Sequence, residues 1–102
     1  MVKSNTSKLK KIAEKIKEAY SEYLERGSEL TQKLRLFGLE PHDYLETLIE
    51  KKLKLLGLKD IEVRVLSESR GFIWEKSNLY EFIIFGSVVS VYKYYLRDQA
   101  TL

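Results

Sequence analysis

Catalysis needs a nucleophile, a base or a bound metal, and this chain offers few of the residue types that supply them. It has no cysteine, which excludes a thiol nucleophile, a disulfide framework and a thiolate metal site. His42 is the single histidine. With Glu46 it stands at i, i+4 on the helix expected there and could offer two metal ligands, but two ligands do not close a site. The ordinary reading is a surface histidine in a first helical turn. The five glycines are isolated, and none belongs to a loop that could cradle a phosphate. The carboxylates stand mostly among lysines on helix faces, where solvation explains them, and an enzyme using carboxylates alone is left open. We therefore expect no enzyme, no cofactor and no metal.

Aromatic and basic residues carry the remaining chemistry. Phe72 and Trp74 share one face of an expected strand, Tyr92 and Tyr94 share a face of another, and Arg64, Arg70, Lys76 and Lys93 are near in sequence. Aromatics on a sheet beside basic groups can stack single-stranded bases; more often they are core or interface. Residues 1–20 carry six lysines against two glutamates, residues 21–50 seven acids against three bases, and residues 51–102 nine bases against six acids. Lys8, Lys11 and Lys15 on the basic arm are candidate nucleic-acid contacts, with solvated helix faces as the plain alternative.

The element that must position these groups is 79–96, LYEFIIFGSVVSVYKYYL, the most apolar stretch, with no charge between Phe82 and Tyr92. β-Branched and aromatic residues favour strand. Gly86-Ser87 between two such runs signals a two-residue hairpin with Gly86 at positive φ, giving strands over about Leu79–Phe85 and Val88–Tyr95. A helical reading also stands: Asn78 and Glu81 fit a capping box, and Ile84, Val88, Val91 and Tyr95 would share a face. Upstream, Ile61, Val63 and Val65 alternate with Glu62 and Arg64, a half-buried strand. Residues 67–71 read as a loop, Phe72–Glu75 as a second strand, and 76–78 as a turn.

Before the sheet, Leu9, Ala13, Ile16, Tyr20, Tyr23, Gly27, Leu30, Leu34 and Phe37 repeat at heptad spacing, widened by Ile12, Ala19 and Leu24. This predicts a long helix, continuous or mildly kinked at Gly27. Phe37-Gly38-Leu39 ends it with a glycine cap. Pro41 opens a second helix to about Leu56 on the stripe Leu45, Leu48, Ile49, Lys52 or Leu53, and Leu56, and Leu56-Gly57-Leu58 ends it in the same way. The short link predicts an antiparallel helical hairpin. Glu22 and Glu25 should then lie near Lys51, Lys52 and Lys54. Residues 6 to about 20 have no partner in the hairpin and must pack on the sheet or on another chain. A recognition helix at 41–56 would present Asp43, Glu46 and Glu50 to phosphates, the wrong sign for groove entry.

At 102 residues the chain makes one domain: residues 1–58 helical, 59–97 sheet, 98–102 a tail. The N-terminus lacks the apolar run of a signal peptide. The longest uncharged stretch is too short for a bilayer, which takes about 20 residues in a helix, so a cytoplasmic protein is expected. Lys and Glu abound while Cys, Met, Asn and Gln are scarce, a balance associated with ion-pair networks at high temperature. In composition the chain resembles the small proteins of hyperthermophilic archaea and of their viruses; the resemblance names no motif, and for a virus it implies the host cytoplasm.

The expected fold is α+β: a long N-terminal helix and helical hairpin followed by a four-stranded antiparallel β-meander. Its final strand pair is apolar on both faces, whereas two helices cover only one. The expected function is a non-catalytic protein-interaction module, as a homodimer or with a peptide partner, contacted through Trp74, Tyr80, Tyr92, Tyr94 and Tyr95. The alternative is a small nucleic-acid-binding protein using the N-terminal lysines and the sheet aromatics.

Overall fold

A computed structural model describes residues 2–36, 38, 41–67 and 69–95; of residues 2–6, 27–31, 34, 35, 41, 42 and 95 it describes the backbone alone. Two helices, α1 (Val2–Leu36) and α2 (Pro41–Leu56), precede four strands, β1 (Ile61–Ser67), β2 (Arg70–Glu75), β3 (Asn78–Phe85) and β4 (Val88–Tyr95). The strands form one open antiparallel sheet in the order β1-β2-β3-β4. α1 runs through Gly27 without a break.

The turns explain the boundaries. Gly86 has φ +63 and faces open space, with Phe85 paired to Val88 across it. Ser87 has no positive φ, so the turn is of the II′ kind that suits a right-twisted hairpin. The helical reading of 79–96 is thereby excluded. At the end of α2, the Leu58 amide donates to the Leu53 carbonyl and the Gly57 amide to that of Lys54, while Gly57 adopts φ +109. Those two bonds are a Schellman cap, and its apolar partners Leu53 and Leu58 are both buried. Gly38, at φ +74, is placed to end α1 likewise; Phe37 and Leu39, the rest of that expected cap, lie outside the described residues.

The helices cover one face of the sheet. Ile12, Ile16, Ala19 and Tyr23 from α1 and Leu45, Leu48, Ile49 and Leu53 from α2 close over Ile61, Val63, Val65, Ile73, Tyr80, Phe82 and Ile84. α1 packs along β4 and α2 along β1, so the N-terminal half of α1 finds its partner in the sheet. The stripe of α2 is the expected one. That of α1 is turned: its centre is formed by Ile12 and Ala19, expected only to widen the seam, while Leu9 and Tyr20 are partly buried and Leu24 is 59% exposed. The heptad spacing fits a helix packed along one partner. α1 meets both α2 and the sheet, and the wider contact moves the buried line. Lys52 pairs with Glu22 at 3.4 Å, and the Tyr23 and Tyr44 rings lie 6.4 Å apart, joining the helices at mid-length.

Candidate interaction surface

Strand alternation sorts the sheet into two chemically different faces. Along β3, Tyr80, Phe82 and Ile84 turn toward the helices, and Leu79, Glu81, Ile83 and Phe85 turn away. The register aligns the outward residues into rows. Glu62, Trp74, Leu79 and Tyr94 form one row, and Arg64, Phe72, Glu81 and Tyr92 the next. Ile83 stands between Arg70 and Ser90, and Phe85 beside Val88 closes the far end.

No element among the described residues covers this outer face. Leu66, Ile83, Phe85, Val88, Tyr92 and Tyr94 are all exposed here, Phe85 at 85%, and Phe72, Trp74 and Leu79 are half-buried beside them. Among the described residues, the other exposed large apolar ones, Leu24, Leu36 and Leu55, are scattered on the helices. An antiparallel sheet with one wet face normally alternates apolar and polar residues; here the wet side is apolar as well. The Phe72 and Trp74 rings lie 5.9 Å apart, and with Glu62, Arg64, Leu66 and Leu79 they line a shallow hollow of about 560 Å³.

Glu81 lies at the centre of this face, between Phe72 and Tyr92, and is only 5% exposed. A buried carboxylate needs partners. Arg70 donates Nε–H to Oε2 at 2.7 Å, and the Tyr94 hydroxyl donates to Oε1 at 2.5 Å. These two bonds, Tyr94's first, hold the Glu81 carboxyl below its ordinary value, while the same carboxylate raises the Tyr94 phenol. The Arg70 guanidinium also lies 5.7 Å from the Phe72 ring centre. The charge is neutralised within the face, and both partners are fixed. Glu62 and Arg64, of opposite charge and both exposed, stand two positions apart at one edge.

A second polar cluster sits on the opposite side, where α1 meets the sheet. Lys8 Nζ is 2.7 Å from the buried Glu75 carboxylate and 5.8 Å from the centre of the Tyr80 ring, and the Tyr80 hydroxyl donates to Glu75 at 3.3 Å. Burial works against the Lys8 charge, but Glu75 and Tyr80 outweigh it and its pKa is raised; burial raises the Tyr80 phenol. This arrangement is a structural clamp between α1 and the sheet.

Of the residues expected to bind a partner, Trp74, Tyr92 and Tyr94 lie together on the outer face. Tyr80 does not: it is 1% exposed within the core, one strand position out of phase with them. The Tyr95 side chain lies outside the described residues. Among the lysines, Lys8 is engaged by Glu75, Lys15 lies 3.4 Å from Glu18, and Lys11 lines a hollow with Glu75 and Leu58. Arm and outer aromatics are thus on opposite sides of the sheet. Glu46 accepts the Val65 amide at 2.8 Å, and the His42 side chain is not described. Sequence reasoning missed Ile83, Phe85 and Val88 as members of the face, although their period-two relation to Glu81 and Tyr92 was available. It missed the Arg70–Glu81–Tyr94 group because that depends on cross-strand register.

No family model, curated protein or solved structure matches the chain. No helix among the described residues is long and apolar enough to cross a membrane.

Proposed function

We propose that this protein is a non-catalytic interaction module that self-associates through the outer face of its sheet. The observation that carries the reading is the gathering of the exposed apolar residues Leu66, Ile83, Phe85, Val88 and Tyr92 on one face around a neutralised Glu81. Monomers rarely expose an apolar patch beyond a few hundred Å², and larger ones mark association sites. Tyr and Trp suit such faces because each combines a large contact area with a polar handle. The reading takes α1 and α2 as an antiparallel hairpin folded at Gly38, a rigid backing supported by the Glu22–Lys52 pair and the Tyr23–Tyr44 contact.

Charge decides against nucleic acid as the first reading. Phosphate binding needs unpaired cations beside the stacking rings. On this face Arg70 is committed to Glu81, Arg64 stands exposed two positions from the acidic Glu62, and Lys8, Lys11 and Lys15 lie behind the sheet. Sedimentation over a concentration series, at low and high salt, tests the proposal. Self-association should survive high salt, and Phe85→Lys with Tyr92→Lys should abolish it while circular dichroism stays unchanged. If the wild-type protein is monomeric throughout, or itself binds single-stranded nucleic acid with an affinity that falls steeply with salt and is lost with the outer-face aromatics, the reading is overturned.

A further inference from the structure

The Arg70–Glu81 ion pair on the outer face is unevenly wetted. The Glu81 carboxylate is already dry: Arg70 Nε and the Tyr94 hydroxyl take one oxygen each, and among the described residues no buried side-chain polar atom lacks a partner. The Arg70 side chain is 53% exposed. Its guanidinium is held down on the face by Glu81, 2.7 Å away, and lies 5.7 Å from the centre of the Phe72 ring, with Ile83 as the register partner of Arg70 on β3. A cover seated on Phe72, Ile83 and Tyr92 therefore takes water chiefly from the cation. Taking a charge out of water is costly unless an opposite charge is paired with it. Here the opposite charge is in place and already desolvated.

No other group on the face can stand in for that carboxylate. In the row of Glu81, Arg64 on β1 is a second cation, and Tyr92 on β4 is neutral near pH 7. Tyr94, also on β4, has its phenol raised further by Glu81. The outward neighbours of Glu81 on β3, Leu79 and Ile83, carry no charge. Glu62 stands at the opposite end of β1 from Ser67, which pairs with Arg70. We propose that association through the outer face requires the intact Arg70–Glu81 charge pair and is released when Glu81 takes up a proton. The inference rests on the self-association reading and adds its electrostatic condition. A covered face holds the carboxylate ionised more firmly than an open one, so the associated state binds fewer protons. Association is then constant near neutral pH and is lost as pH falls. Tyr94 and Arg70 already hold Glu81 below 4.5 in the free chain, which puts the loss below pH 4.5.

Sedimentation of wild type, Glu81→Gln, Arg70→Met and the double variant tests this, with circular dichroism to follow folding. Glutamine keeps the shape of Glu81 and an oxygen for Tyr94, and methionine keeps an unbranched stem without the charge. At neutral pH each single variant leaves a charge without its partner under the cover, and Kd should rise by at least about tenfold. The double variant leaves no such charge and should associate about as tightly as wild type. Below pH 4.5 the wild-type Kd should rise relative to that of the double variant, in which the other carboxylates titrate alike. Should a single variant unfold, the comparison of wild type with the double variant across pH still decides. Equal association of wild type and Glu81→Gln, a double variant as weak as the single ones, or parallel losses with pH in wild type and double variant would overturn the inference and leave self-association standing. A wild-type protein that is monomeric at neutral pH would overturn both.

Discussion

Two residues show most clearly how single side chains set the sheet. Gly71 lies on the inner face of β2, where an added Cβ would stand 2.5 Å from the Arg64 carbonyl oxygen and 2.5 Å from the edge of the Phe82 ring. The ring fills the space a side chain would take, and the carbonyl belongs to a paired strand that cannot retreat. Gly71→Ala should therefore destabilise by about 1–3 kcal/mol, the range for overpacking a core, read as a lower urea midpoint at constant slope. An unchanged midpoint would mean that the ring moves aside freely. Glu81 shows the electrostatic counterpart. Its folded pKa is lowered from 4.5 by Tyr94 and Arg70. A depressed carboxylate contributes stability that is present above its unfolded pKa and is lost as pH falls through the folded value. The stability advantage of wild type over Glu81→Gln should thus be constant near neutral pH and shrink as pH drops below about 4.5. Thermal melts across that range check the sign, and a constant difference would show that the carboxylate is not held by its neighbours.

At the scale of elements, the edges of the sheet and the faces of the helices matter most. Glu46, on α2, accepts the Val65 amide at 2.8 Å, placing a carboxylate against the edge strand β1. A charged acceptor at a strand edge satisfies a backbone donor and discourages pairing with another chain. Glu46→Ala should cost about 1.5–3 kcal/mol, the usual range for a hydrogen bond to a charged group, and should speed hydrogen exchange at the Val65 amide. On α2, Leu53→Ala should cost about 2–5 kcal/mol, whereas Leu55→Ala, two positions on and 81% exposed, should stay within about 0.5 kcal/mol. Equal losses would mean that the helix presents a different face. Most of this level was legible in the sequence. Alternation at Ile61, Val63 and Val65, Gly86 in its turn, and the Leu53–Leu58 cap are local rules obeyed locally. The buried line of α1 was less legible, since it depends on how one helix divides itself between a second helix and a sheet. Tyr80 was assigned to the wrong face because five tyrosines and tryptophans were grouped by type. The Gly86-Ser87 turn sets Tyr80 opposite Lys93, and so already separates it from Tyr92 and Tyr94.

The described residues form a two-layer α+β unit: helices cover the inner face of the sheet, and among the described residues nothing covers the apolar outer face. If a second copy supplies that cover, folding and association are linked. Any partner that binds the folded state and not the unfolded chain raises apparent stability as its free concentration exceeds Kd. When the partner is the protein itself, Tm must rise with protein concentration. A monomer shows no such dependence. The variant Phe85→Lys with Tyr92→Lys puts charge in place of two exposed aromatics of the face but replaces no residue of the core, so it separates the two cases. At high dilution it should melt close to wild type, since both are then monomers and exposed positions contribute little to the fold. As concentration rises, wild-type Tm should climb and the variant's should not. Calorimetry over a hundredfold range of concentration reads this directly. Two flat lines would show that the outer face stays wet, and parallel rising lines would place the contact elsewhere on the molecule. High salt adds a second check. An apolar contact keeps its concentration dependence there, whereas one held by surface ion pairs loses it as the charges are screened.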